Sequence, residues 1–258
     1  MSKQLTKSPL TAAPLRVAGQ SIDSQLDSVL YDEFLGPSLL ALFTVVLAGL
    51  EWWRYANSAK PSPWTFTIFA VLVVVYAVWR GRSAFKQARN LRLGRDGERA
   101  VSQDLEWFRT KDFFVFHDVP TGDANIDHVL IGTRGVYVIE TKTISKPVRG
   151  ECRITVTENG VQANGRALDR NPITQVKAQA RWLHNFLADS QFKKFVQPVV
   201  VFPGWYVERF DSKAIGAWVL EPKALDGFVE NQAVVLSGDE VKALSCALSS
   251  YIRSQSSL

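Results

Sequence analysis

The chain has 258 residues, 47% of them hydrophobic and 21% charged, which is enough apolar material for a core and too much for a disordered or fibrous protein. Two cysteines, Cys152 and Cys246, exclude a disulfide framework and read as reduced, intracellular thiols; His117, His128 and His184 lack zinc-site spacing. The formal net charge is +5, yet residues 1–79 carry five basic and five acidic side chains and residues 94–258 carry twenty of each, so the whole excess is Arg80, Arg82, Lys86, Arg89 and Arg92.

Residues 1–33 are polar and have no apolar h-region, so no cleaved signal peptide is expected and the segment reads as a cytosolic tail. Phe34–Leu50 is uncharged and closes on Glu51, Trp52 and Trp53; Pro61–Trp79 is uncharged again. As helices of about 34–53 and 62–79, these runs can cross a hydrocarbon core of about 30 Å. Four of the eight tryptophans, Trp52, Trp53, Trp64 and Trp79, sit at their ends, where indoles anchor at a bilayer interface. The prediction is a transmembrane hairpin over 34–79 in a lipid bilayer. A buried hairpin of a soluble protein is the other reading, and those flanks argue against it. The connection Arg54–Pro63 has only Arg54 and Lys60, whereas the juxtamembrane linker 80–93 has five positives, so both the N-terminus and the C-terminal domain are expected in the cytoplasm, in a bacterial inner membrane.

From Gly94 the pattern becomes mixed α/β over 94–258. An amphipathic helix is predicted over Gly94–Arg109, with Glu98 near its start, followed by a strand over Phe113–Val119. Thr121, Gly122 and Asp123 mark a turn. Asn125–Ile131 and Val136–Thr143 form a hairpin about Gly132-Thr133-Arg134-Gly135. A second hairpin is expected at Ile154–Thr157 and Val161–Ala163 around Asn159-Gly160, then a helix from Pro172 to about Leu187 with Gln175 in its first turn. Strands at Gln197–Phe202 and Ala217–Leu220 and a helix over Asp239–Arg253 close the domain.

Pairing the first hairpin explicitly sets Gly132 against Gly135 and Asp127 against Glu140, two acids with Cβ atoms about 4.5–5.5 Å apart. Like charges so placed require a cation or a shared proton. Alternation adds Lys142 to the face of Glu140, whereas His128 points away from Asp127 and is expected to be a packed or hydrogen-bonding sheet residue. Two carboxylates and a lysine can hold a hard divalent ion such as Mg²⁺ and orient a water for attack on phosphorus, with Lys142 stabilising developing negative charge or helping to deprotonate the water. The same trio also suits an ordinary ion-pair network closing the hairpin. GxSxG, Walker, GxGxxG and C-x-x-C motifs are absent from the sequence, which removes the warrant for serine-hydrolase, nucleotide-triphosphatase and dinucleotide readings.

Gly94-x-x-Gly97-Glu98-Arg99-x-Val101, Ile126-Asp127-His128-Val129-Leu130-Ile131-Gly132, Gly135-Val136-Tyr137-Val138-Ile139-Glu140-Thr141-Lys142 and Asn171-Pro172-x-x-Gln175 resemble the blocks of the nuclease-related domain, NERD, in the family's order, over about residues 92–205. The resemblance implies an α/β, restriction-endonuclease-like fold of the PD-(D/E)xK type, a mixed central sheet flanked by helices. It implies Glu98 as the acid of the first helix, Asp127 and Glu140 as metal ligands, Lys142 as the catalytic lysine and Gln175 as the polar residue of the following helix. The expected function is a membrane-anchored, Mg²⁺- or Mn²⁺-dependent nuclease acting on nucleic acid, with DNA the favoured substrate. Because residues 94–258 are neutral overall, a catalytically idle, membrane-tethered binding or scaffold module is the second expectation.

Overall fold

β-branched and aromatic runs between glycine and proline breaks give nine strands among the described residues, and the apolar runs of the first third give long helices. The structure is a computed structural model that describes residues 15–57, 63–122, 124–147, 150–157, 160–189, 195–208, 210 and 212–255. Asp123 and Asn159, both expected in turns, most of the connection between the apolar helices and the first fourteen residues of the expected tail lie outside the described residues. The chain divides into two compact units, Ser21–Arg95 and Asp96–Leu258, the second including the residues up to Gln20.

In the first unit, α1 (Gln20–Ser28) runs through a wider, π-wound stretch (Val29–Leu35) into α2 (Gly36–Ala56), and α3 starts at Pro63 and continues to Leu105. Residues 20–33, expected as tail, are therefore helix. Leu26 and Val29, joined by Leu30 and Phe34, recur at helical spacing and bury against Ala84 and Ala88. The basic stretch 80–93 is likewise one more part of α3, since no proline interrupts it and glycines such as Gly81 and Gly94 weaken a helix without ending it. α2 and α3 run antiparallel: Trp52 donates from Nε1 to Thr67 Oγ1 at 2.9 Å and stacks edge-on with Trp64, while Phe34 meets Phe85 at the other end. Two helical stretches, Gln20–Ala56 and Pro63–Lys111, are long and apolar enough to cross a membrane, with windows of mean hydropathy 1.8 and 1.6 that are 11% buried. Trp53 and Trp79 are 68% and 67% exposed.

In the second unit, β1 (Phe114–Pro120), β2 (Asn125–Gly132) and β3 (Gly135–Thr141) form an antiparallel meander. A second sheet follows, built from β4 (Arg153–Thr157), β5 (Gly160–Ala163), β6 (Arg166–Ala167) and β8 (Tyr206–Val207) in the order β6-β5-β4-β8. The chain returns through α4 (Pro172–Asp189) to β7 (Val196–Val201), parallel to β3, and β9 (Trp218–Leu220) adds parallel to β7, giving the main sheet order β1-β2-β3-β7-β9. Short helices α5 (Ser212–Ile215) and α6 (Leu225–Glu230) precede α7 (Gly238–Gln255). The two-residue strands and the shortest helices are too brief to carry a periodic signal, which is why the sequence pattern does not announce them.

The fold is mixed α/β, with mixed sheets flanked by helices. One face of the main sheet, with Val129, Ile131, Val136 and Val138, buries Val176, Ala180, Leu183 and Leu187 of α4 and Leu244, Leu248 and Ile252 of α7. Trp182, Phe186 and Tyr251 stack between those helices with centroids 5.0–5.6 Å apart. The opposite face, with Leu130, Tyr137 and Ile139, buries Val101 and Leu105 of α3, Phe108 beyond it, and Leu225 and Val229 of α6. Glycine is needed at the start of the β2–β3 turn: a Cβ on Gly132 would lie 2.4 Å from the ring of buried Phe113, which stacks edge-on with Phe108 at 5.5 Å. Gly132→Ala is accordingly expected to destabilise the unit by about 1–3 kcal/mol, the usual cost of overpacking. Thermal unfolding of the purified chain checks this, and adding Phe113→Leu should recover part of the loss, since the two residues share one contact.

Candidate metal-dependent active site

Hydrophobic alternation fixes the hairpin register, with His128 opposite Ile139 and Gly132 opposite Gly135, so Asp127 and Glu140 stand at the same end of β2 and β3 on the face covered by α4. Glu140 is 5% exposed and Asp127 is partly accessible. Hydrogen bonds hold both: Thr141 N–H donates to Asp127 Oδ2 at 2.7 Å, and Gln179 Nε2 donates to Glu140 Oε2 at 2.8 Å. Lys142 follows immediately, its N–H bonded to the Val201 carbonyl at 2.9 Å, which ties the end of β3 to β7.

α3 delivers Glu98 to the same place because the preceding residue has no side chain. A Cβ on Gly97 would fall 1.7 Å from Thr143 Oγ1, so the helix touches the segment just after Lys142 only through a glycine. A fourth carboxylate, Asp118, belongs to β1. It is 2% exposed, has a positive φ of 50°, and accepts from Asn125 Nδ2 at 2.8 Å and from Arg16 Nη1 at 3.4 Å.

Three of these acids, Glu98, Asp127 and Glu140, are disturbed by their surroundings. Loss of water, followed by the charges of Asp118 and Glu140, pushes Glu98 up to about 8, against a weaker opposing hydrogen bond from Gly19 N–H. Desolvation and then the charges of Glu140 and Glu98 hold Asp127 well above the carboxylate range. Glu140 is pushed up to about 7 by desolvation, with the Gln179 hydrogen bond and the Lys142 charge pulling the other way. Glu98 and Glu140 therefore take up protons or attract positive charge near neutral pH.

On the opposite face, His117 and His128 share a proton between their Nδ1 atoms at 2.8 Å, and His128 Nε2 lies 3.2 Å from Thr141 Oγ1. Burial pushes both imidazoles down, so the pair is neutral. His128 is thus a hydrogen-bonded sheet residue on the far side from Asp127.

The structure brings Glu98, Asp127, Glu140 and Lys142 together. Gln175 lies on the exposed side of α4, and Gln179, one turn later, is the glutamine that reaches Glu140. Two members were not singled out from sequence although each leaves a trace there: Gln179 falls among Val176, Ala180 and Leu183 on the apolar face of its helix, and Asp118, with His117, interrupts an otherwise apolar strand. Among the described residues, no three His, Cys, Asp or Glu side chains form a ready-made metal cage. The donor chemistry nevertheless fits a hard divalent cation, since such ions are usually held by one or two carboxylates plus waters and substrate phosphates. Gln179 Oε1 is in addition a buried acceptor with no donor among the described residues.

The raised carboxyl groups set a pH dependence. A carboxyl with a folded pKa of about 8 and an ordinary value of 4.5 contributes stability below pH 4.5 that is lost as pH rises through 8. In EDTA, the melting temperature should fall between pH 5 and pH 8.5, and Glu98→Gln should flatten that fall. A melting curve set that rises across this window would contradict the charge arrangement.

Three comparisons bear on this geometry. No curated protein and no solved structure matches the chain. Residues 93–203, the stretch that contains Glu98, Asp118, Asp127, Glu140, Lys142 and Gln179, match the family model of the nuclease-related domain, NERD.

Proposed function

We propose that the protein is a membrane-anchored, metal-dependent nuclease that hydrolyses phosphodiester bonds, with DNA as substrate, on a restriction-endonuclease-like domain facing the cytoplasm. The observation that carries the reading is the opposition of Asp127 and Glu140 beside Lys142, in surroundings that raise the proton affinity of both acids. The nuclease-related family match over the same residues supports it.

Asp127 and Glu140 would hold a Mg²⁺ or Mn²⁺ ion. When bound, such an ion polarises a phosphoryl oxygen and makes a coordinated water more acidic. In hydrolysis a water oxygen bonds to phosphorus while one ester P–O bond breaks. Lys142 would stabilise the negative charge that then grows on the phosphate oxygens. Thr141 N–H and Gln179 fix the two carboxylates, so little reorganisation accompanies substrate entry. Glu98, with its high proton affinity, is placed to hold or pass a proton. Gln175, exposed one turn earlier, would contact substrate rather than the carboxylates.

A second reading, an idle nuclease fold used as a tethered binding module, is favoured by the zero net charge of residues 94–258, which builds in no strong attraction for a polyanion. The two readings separate when the purified full chain is incubated with single- and double-stranded DNA and RNA in Mg²⁺, Mn²⁺ or EDTA. Cleavage of DNA with either ion, lost in EDTA and reduced at least a hundredfold by Lys142→Ala, is expected. Equal behaviour of wild type and Lys142→Ala under every condition would leave the binding module.

The tether rests on two apolar helices whose large side chains stay uncovered and whose terminal tryptophans are exposed. With Cys152 and Cys246 replaced by serine, a membrane-impermeant maleimide added to intact cells should label Asn57→Cys and leave Ser254→Cys unlabelled. Labelling of Ser254→Cys alone would invert the orientation, and labelling of neither or both would remove the anchor.

A further inference from the structure

Residues Leu15–Gln20 fold back onto the carboxylate cluster. They belong to the same compact unit as Asp96–Leu258. Arg16 pairs with Asp118, and its side chain keeps 22% exposure against 3% for the aspartate. Gly19, at φ 72°, donates its N–H to Glu98. Ala18, between them, is 5% exposed. A compact turn holds these three in phase, with Gln20 N–H on the Val17 carbonyl and Gln20 Oε1 accepting from Val17 N–H, both at 3.2 Å. Among the described residues, Ala18 and Gly19 are the buried members of the segment, whereas Val17 is 60% exposed and Leu15 is 38% exposed.

We propose that this segment is an autoinhibitory strap, in which Arg16 supplies positive charge to the carboxylate cluster and is displaced when a hard divalent cation binds there. The inference deepens the metal-dependent reading of the site and rests on it.

The physical basis is competition for the same negative charge. Asp118 and Glu98 adjoin Asp127 and Glu140 closely enough for their charges to act on each other, so a divalent ion held by the latter pair repels the guanidinium on Asp118 and draws on the carboxylate that Gly19 holds. A strap whose Leu15, Val17 and Gln20 are exposed opens at low cost, as expected of segments that move for function. Opening and cation binding are then linked: the ion releases the strap, and weakening the strap tightens the ion by the same factor.

The test uses the full chain in detergent and Mn²⁺ alone. Amide hydrogen exchange over residues 16–20 is expected to accelerate at least tenfold at saturating Mn²⁺, and not at all in Asp127→Asn. Calorimetric Mn²⁺ affinity should rise about tenfold in Arg16→Ala. It should also rise in Ala18→Glu, which puts a charge at a buried strap position and evicts it by repulsion from the cluster. If wild type binds Mn²⁺ while strap exchange is unchanged and both variants bind no tighter, the strap is structural and the proposal falls while the metal site stands. If wild type and both variants bind no Mn²⁺, the metal-dependent reading falls and takes the proposal with it.

Discussion

Asp127 and Glu140 face each other across a β-ribbon that cannot slip. Their neighbours Val129, Ile131, Val136 and Val138 are buried to 1% exposure or less on the same side. A one-residue shift would turn that entire set toward the wrong face, at a cost far above any relief of charge repulsion. The repulsion is therefore locked in by hydrophobic packing, and relief has to come from protons, from Lys142 or from an added cation.

The remaining parts of the site are arranged around that constraint and come from distant stretches of chain. α3 approaches through Gly97 and brings another acid, Glu98, rather than a base; β1 contributes Asp118 in a left-handed backbone conformation that a non-glycine residue adopts only when its surroundings hold it there. Gln179 and Thr141 N–H each satisfy a single carboxylate oxygen. A structure built only for stability would place a basic or apolar residue at one of these positions, because buried like charges are costly and well-packed apolar side chains are not. Concentration of four acids at one end of a sheet, with Arg16 on Asp118 and Lys142 beside Glu140 as cations, is the pattern expected of a site that holds positive charge.

On the proposed reading, a neutral domain handles a polyanion without a broad basic surface. Attraction is concentrated where the cation and Lys142 sit, and the five-residue basic excess, Arg80 to Arg92, lies on α3 ahead of the block that carries Glu98. Such a protein would bind nucleic acid weakly and with shallow salt dependence, and tethering would set where it meets substrate more than long-range steering does.

The sequence by itself determined the long apolar helices, the strands of the main sheet and the Asp127–Glu140 register, since each follows from local periodicity and from a turn whose glycines allow one pairing. Helical propensity in 80–93 and the apolar spacing of Leu26, Val29, Leu30 and Phe34 are also local, but the charge and polarity around them are equally those of a linker and a tail. Only the tertiary structure decided which glutamine of α4 serves the site, because Gln175 and Gln179 are separated by one turn and the choice depends on how the helix is rotated against β3. The same holds for Asp118 and for Arg16 and Gly19. Gly19 meets Glu98, and Arg16 meets Asp118, across about 80 to 100 residues of sequence, and a one-dimensional pattern contains no term for distances of that kind.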